Sequence, residues 1–155
     1  ISYMLEALQH LHEPKPHLVV VGGDAESMLQ NVDGLNMNNI HFIPYVDGEK
    51  NMARLYSAVD CFVTPSLQDN LPNTIAEAMS CGTPCVGFNT GGIPEMITHM
   101  QNGYVARYLD SQDLAHGIEC TLEHPEWCEA ATRSALHDYS EDRVAREYGK
   151  IYGIH

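Results

Sequence analysis

Five short apolar runs constrain this chain more than any other feature. They are "HLVVVGG" (His17–Gly23), "IHFIPYV" (Ile40–Val46), "DCFVTPS" (Asp60–Ser66), "PCVGF" (Pro84–Phe88) and "GYVARY" (Gly103–Tyr108). Each is too short for a packed helix, and none alternates apolar with polar residues. That is the signature of strands covered on both faces. Helical periodicity fills the intervals. Met4, Leu5, Leu8 and Leu11 predict a helix over residues 2–12, stopped by Pro14 and Pro16. Met28, Leu29 and Val32 predict one over residues 25–33. Met52, Leu55 and Tyr56 point inward from a helix over Asn51–Ser57, and Thr74–Ser80 forms another with Gly82 as its C-cap. "NTGGIPEMI" reads as a Gly-rich turn entering a short helix. From Ser111 the pattern is helical, with breaks near Pro125 and Tyr139–Ser140. Strands alternating with helices predict an α/β domain with a doubly wound parallel sheet.

A chain of 155 residues with 44% hydrophobic content is long and apolar enough for one domain with a real core. No apolar run approaches the roughly 18 residues that span a bilayer. Ile1–His12 has no basic head of the kind that opens a signal peptide, and no initiator Met is present. The expectation is a cytoplasmic protein whose sequence here starts partway into a longer one. Eight basic and 21 acidic residues give a net charge of −13, which argues against nucleic acid as a partner and against anionic membranes. A local phosphate site stays compatible with that charge, because main-chain N–H groups bind anions on acidic proteins. Cys61, Cys81, Cys85, Cys120 and Cys128 show no paired spacing and read as reduced, mostly buried thiols. The nine histidines lack zinc-site grouping and read as scattered surface residues.

In doubly wound sheets, ligands bind beyond the carboxyl ends of the strands. Here those ends are Gly22–Gly23, Pro44–Asp47, Pro65–Asn73 and Asn89–Pro94. The third is the most informative. Asp69 lies in a loop, a helix opens at Pro72 or Asn73, and Glu77 follows eight residues after Asp69. The first N–H groups of that helix are free to meet an anion such as a diphosphate. A carboxylate one turn later accepts two hydroxyl donors, as the vicinal hydroxyls of a ribose would supply. The spacing alone leaves a second reading equally open, in which Asp69 is a turn residue and Glu77 complements the helix dipole. "GGIPE" (Gly91–Glu95) is either a second phosphate cradle or a turn that needs glycine. "VGGD" lacks the Gly-x-Gly-x-x-Gly spacing of a dinucleotide site.

The stretch "PSLQDNLPNTIAEAMSCGTPCVGFNTGGIPEMI" resembles the donor-binding signature of the GT-B fold retaining glycosyltransferases of family 4, in their C-terminal domain. The matching positions are Pro65-Ser66, Asp69, Glu77-Ala78-Met79, Gly82-Thr83-Pro84-Cys85-Val86, Gly91-Gly92 and Pro94-Glu95. "LVVVGG", "FIPYV", "LYSAVDCFVTPS" and "NGYVA" extend the likeness over most of the chain. The resemblance implies a nucleotide-diphosphate sugar as donor and transfer with retention. Glu77 would hold the ribose hydroxyls, and Asp69 would contact the donor sugar and stabilise positive charge at its anomeric carbon. Leu71, Pro72, Asn73 and Thr74 would meet the sugar and diphosphate. Gly22, Gly23, Pro44, Tyr45 and Val46 would flank the nucleobase, and Gly91 and Gly92 would line the cleft near the sugar. Neither a cofactor nor a metal is expected. The acceptor is a saccharide or a lipid-linked sugar, in polysaccharide or glycoconjugate synthesis.

Two departures accompany the likeness. Asp69 stands where the family usually carries Glu, one methylene longer. The basic pair that neutralises the diphosphate, and the strand before it, would precede Ile1, as would the whole acceptor domain. The chain is therefore expected to be a nucleotide-sugar-binding half, truncated at its N-terminus and inactive alone. Any peripheral membrane attachment falls to the absent domain. The C-terminal helices, with Trp127 and Tyr139, read as packing. Tyr148 or Tyr152 would be exposed where the last helix meets that domain, and Arg133, Arg143 and Arg146 read as a solvated face. Two other functions fit the same elements: a sugar-nucleotide epimerase of this architecture, and a noncatalytic α/β binding module.

Overall fold

The computed structural model describes residues 2–22, 37–140, 142–143, 145–146 and 150. The element order is α1 (Ser2–His10), β1 (Leu18–Val21), a 3-10 turn (Met37–Asn39), β2 (Ile40–Ile43), α2 (Glu49–Ser57), β3 (Phe62–Thr64), α3 (Asn73–Ser80), β4 (Cys85–Phe88), α4 (Ile93–Met96), β5 (Gly103–Ala106), α5 (Ser111–Glu123) and α6 (Trp127–Asp138). All five expected strands form, and every pairing is parallel. The strands make two hydrogen-bonded groups rather than one continuous ladder: β1–β2 and β3–β4–β5. The expected helix over residues 25–33 lies outside the described residues, as do Gly23, Tyr148 and Tyr152.

The side chains of the three-stranded group separate by parity, as successive Cβ atoms on a strand must. Val63, Val86, Phe88, Tyr104 and Ala106 join α1 and α5 in one cluster, which also takes Leu18, Val20, Ile40 and Phe42 from the β1–β2 pair. Phe62, Cys85 and Val105 join α2, α3, α4 and α6 in the other. Helices therefore cover both faces, as the continuous apolar runs predict. β4 lies between two neighbours and is buried along its whole length. Val86 and Phe88 have no exposed surface. Each such side chain contributes about 1.5–3 kcal/mol by leaving water.

The strands are shorter at their ends than the apolar runs, and the reasons are local. Prolines cannot donate to a ladder. β2 stops at Ile43 before Pro44, and β3 stops at Thr64 before Pro65. β1 ends at Val21, where Gly22 turns at φ 77° while its amide still donates to the Ile43 carbonyl at 3.0 Å. α2 starts at Glu49, two residues earlier than the apolar pattern suggests. Gly48 is its N-cap, and its carbonyl accepts from the amides of Asn51 and Met52. α3 closes as expected. Gly82 adopts φ 84°, its amide donates to Met79 O, and the amide of Thr83 donates to Ala78 O. That is the paired bonding of a Schellman cap.

Candidate functional site

The acidic loop between β3 and α3 is held from two sides. At its start, Ser66 Oγ lies 3.2 Å from Thr64 Oγ1, and Thr90 Oγ1 donates to the Leu67 carbonyl at 3.2 Å. At its centre, the amide of Gly92 donates to the Asp69 carbonyl at 3.1 Å. The fit there is tight. A Cβ added at Gly91 would lie 1.8 Å from Asp69 O, and one added at Gly92 would lie 1.9 Å from Asn70 O. Gly91 also adopts φ 54°. Glycine at both positions is thus required by the approach of two backbones. The amide of Gly92 is spent on the loop, so this turn braces Asp69. A phosphate cradle would need that amide free.

α3 opens without a side-chain cap. Pro72 is the N-cap, at φ −67° and ψ 112°, and its carbonyl accepts from the Ile75 amide at 3.0 Å. Asn73 is therefore the first helical residue, and Asn73 and Thr74 are both exposed. Their amides are among those a helix start leaves without an intrahelical partner. Leu71 is exposed beside them, and Pro72 is buried. Asp69 is half-buried in the loop. Glu77 is exposed one turn into the helix, and one of its carboxylate oxygens is already engaged. The Tyr56 hydroxyl of α2 donates to Glu77 Oε2 at 3.2 Å.

The second group of expected residues lies at the carboxyl ends of β1 and β2. Gly22 is bonded to Ile43, immediately before Pro44, Tyr45 and Val46. Tyr45 is 77% exposed, the largest value among the exposed large apolar side chains of the described residues. A ring so exposed is available for stacking.

Tyr56 is the residue that sequence reasoning assigned only to packing. It is 5% exposed, its ring meets Phe62 edge-on at 5.6 Å, and its carbonyl accepts from Thr83 Oγ1 at 2.6 Å. Burial, followed by the neighbouring Glu77 carboxylate, pushes its hydroxyl well above the ordinary tyrosine range. It remains a donor throughout the neutral range.

Several of the described histidines make local contacts. His17 and His41 stack at 5.1 Å with Nδ1 and Nε2 2.8 Å apart, and His12 Nδ1 lies 2.8 Å from Glu119 Oε1. No group of three His, Cys, Asp or Glu able to hold a metal ion occurs among the described residues. All five cysteines are free; Cys85 is buried and the other four are half-buried. Arg133 pairs with Glu129 and Arg143 with Asp138, as a solvated face would. An open cavity of about 420 Å³ between α1 and α5 is lined by His10, His12, Arg107, Gln112, Asp113 and His116 among others. It contains none of the expected site residues. No helix among the described residues is long and apolar enough to cross a membrane.

Comparison with known proteins bears on the same segments. Residues 1–124 match the family model described as glycosyl transferases group 1. The N-acetyl-α-D-glucosaminyl L-malate synthase of Bacillus anthracis is 28% identical over 141 residues, covering 87% of this chain and 36% of that protein. The N,N′-diacetylbacillosaminyl-diphospho-undecaprenol α-1,3-N-acetylgalactosaminyltransferase of Campylobacter jejuni is 28% identical over 142 residues, covering 89% and 37%. The crystal structure of Anabaena HepE in complex with UDP superposes with a TM-score of 0.86 at 21% identity, over 98% of this chain and 44% of that one. The chain thus spans less than half the length of these relatives.

Proposed function

The chain belongs to the glycosyl transferases group 1 family, and we propose that it is the donor-binding half of a retaining glycosyltransferase that uses a nucleoside-diphosphate sugar. The observation that carries this reading is the joint construction of one edge. The acidic loop at Asp69 is clamped by the Gly91–Gly92 turn, beside a helix that opens without a side-chain cap and carries Glu77. That edge offers a carboxylate, main-chain donors and a second carboxylate in sequence along the chain. A sugar, a diphosphate and a ribose occur in the same order along a nucleotide sugar. The named transferases among the relatives, and the UDP held by the Anabaena protein, support the same class of ligand.

In this reading Glu77 accepts from the ribose hydroxyls, each charge-assisted bond contributing about 1.5–3 kcal/mol. The amides of Asn73 and Thr74, with Leu71 and Pro72 around them, receive the diphosphate. Tyr45, flanked by Pro44 and Val46, supplies a surface for the base, with Gly22 and Gly23 at the end of the neighbouring strand completing the set. In transfer, the bond from the anomeric carbon to the diphosphate oxygen breaks, and its electron pair leaves with the diphosphate. The acceptor hydroxyl oxygen forms the new bond on the same face, and its proton passes to the departing oxygen. The Asp69 carboxylate stabilises the positive charge that develops at the anomeric carbon, while the helix start stabilises the leaving group. No metal is needed for that electrostatic role. The acceptor, a saccharide or a lipid-linked sugar, is held by a separate N-terminal domain. The 155 residues alone bind nucleotide without transferring sugar.

Titration of the full chain with UDP, ADP and GDP, followed by their sugars, tests this. Glu77→Ala should abolish binding of the preferred nucleotide. Asp69→Ala should retain that binding and lose transfer, which should itself persist in EDTA. Binding of no nucleotide by the unaltered full chain would sink the reading. Interconversion of the nucleotide sugar without an acceptor would replace transfer by epimerisation.

A further inference from the structure

We propose that Tyr56 is a positioning residue for ribose recognition: its hydroxyl holds one oxygen of Glu77 and so presents the other to the ligand. The proposal rests on the reading of Glu77 given above. It starts from a contrast between the two side chains. Glu77 is exposed on the surface of α3, where a glutamate ordinarily samples several rotamers about three rotatable bonds. A ligand that needs one of those rotamers loses affinity in proportion to the time spent in the others. Tyr56 is the opposite kind of residue. Its ring is buried, set edge-on against Phe62 of β3 at 5.6 Å and 87°. Its own main chain is tied to the segment after α3 by the 2.6 Å bond from Thr83 Oγ1. A buried donor therefore meets an exposed acceptor, Tyr56 Oη to Glu77 Oε2, at 3.2 Å.

The direction of the contact is what the helix geometry favours. Side chains on a helix lean toward its N-terminus. Tyr56 lies near the C-terminal end of α2, where such a lean carries a side chain back along the helix. α2 follows β2, so its N-terminal end lies on the carboxyl side of that strand. The phenol, itself buried, thus engages one oxygen of an exposed carboxylate. Burial and the adjacent carboxylate both hold the phenol in its protonated, donating form. Packing alone accounts for the ring, because phenylalanine would fill the same space and make the same contact with Phe62. It does not account for a hydroxyl whose partner is the carboxylate assigned to the ribose.

The test uses the full chain, with UDP, ADP and GDP each measured beside its 2′,3′-dideoxy form. Tyr56→Phe keeps the ring and removes the donor. It should weaken the preferred ribonucleotide about three- to tenfold, the size of one hydrogen bond, and leave the dideoxy form unchanged. In a Glu77→Gln background the same substitution should have no further effect on either. Equal weakening of both forms by Tyr56→Phe would show a packing role and overturn the proposal. So would an unchanged ribonucleotide affinity in Tyr56→Phe while Glu77→Gln weakens it. If Glu77→Gln itself fails to distinguish the ribonucleotide from its dideoxy form, the ribose reading of Glu77 is what has failed, and the role of Tyr56 falls with it.

Discussion

The amide of Gly92 donates to the carbonyl of Asp69 at 3.1 Å. The two residues lie 23 positions apart, on the segments that follow β4 and β3. Through this bond the Gly-Gly turn sets the height of the acidic loop. Gly92→Ala forces a methyl against Asn70 O, and Gly91→Ala forces one against Asp69 O. Each should cost about 1–3 kcal/mol or more by overpacking, read as a fall in the urea midpoint. Each should also weaken whatever the loop binds. Gly22→Ala is the control. Its φ of 77° strains an alanine, but nothing among the described residues lies within 4 Å of the new methyl, so only the backbone cost of about 1–2 kcal/mol is expected.

Thr83 is 2% exposed, and its hydroxyl has the Tyr56 carbonyl as partner. Thr83→Val preserves the shape and removes the donor. The expected loss is about 0.5–1.5 kcal/mol, the net size of one hydrogen bond, because the Val59 amide still donates to that carbonyl at 3.3 Å. Equilibrium denaturation measures it.

Asp113 should make stability depend on pH in a defined window. Burial pushes its carboxyl upward, but the Arg107 amide at 2.7 Å, the Tyr104 hydroxyl at 3.1 Å and the Arg107 guanidinium outweigh it. The folded value therefore lies below the unfolded one of about 3.9. The contribution is fully present above the unfolded value and is lost as pH falls through the folded value. Asp113→Asn should cost about 1–3 kcal/mol at neutral pH. The gap between variant and parent should narrow as pH falls below the unfolded value and through the lower folded one. Unfolding free energies measured across that range check the sign.

Phe88 is fully buried at the end of β4, edge-on to Tyr3 at 5.6 Å and to Tyr108 at 6.4 Å. Phe88→Ala should cost about 3–5 kcal/mol, the range for an aromatic side chain deleted from a packed core. Phe88→Leu, which keeps most of the volume, should cost much less. Urea titration of the pair separates cavity formation from a general loss of structure.

How much of this was legible in the sequence depends on the range of the interaction. The strands were readable because burial on both faces writes itself as an unbroken apolar run, and Gly82 was readable because a helix end needs a residue at positive φ. The start of α2 was not. Glu49 and Lys50 are polar first-turn residues, and periodicity sees only the apolar ones that follow. In the site, Asp69 and Glu77 stood out from the resemblance, while their supports did not. Gly92 meets Asp69, and Tyr56 meets Glu77, only after β3 and β4 pair and α2 docks on α3. No local pattern encodes a contact between residues more than twenty positions apart. Tyr56 looked like a core residue because most of its atoms are one.

β4 has a consequence for how this molecule can change over time. Its residues face two separate cores, yet they share one backbone, and Gly91 follows Phe88 by three positions. A substitution under α1 or α5 therefore pushes on the clamp from the far side of the sheet, without touching a residue that meets a ligand. Drift in that hidden face offers a lineage a fine adjustment of its acidic loop, made from behind, while the visible chemistry stays the same.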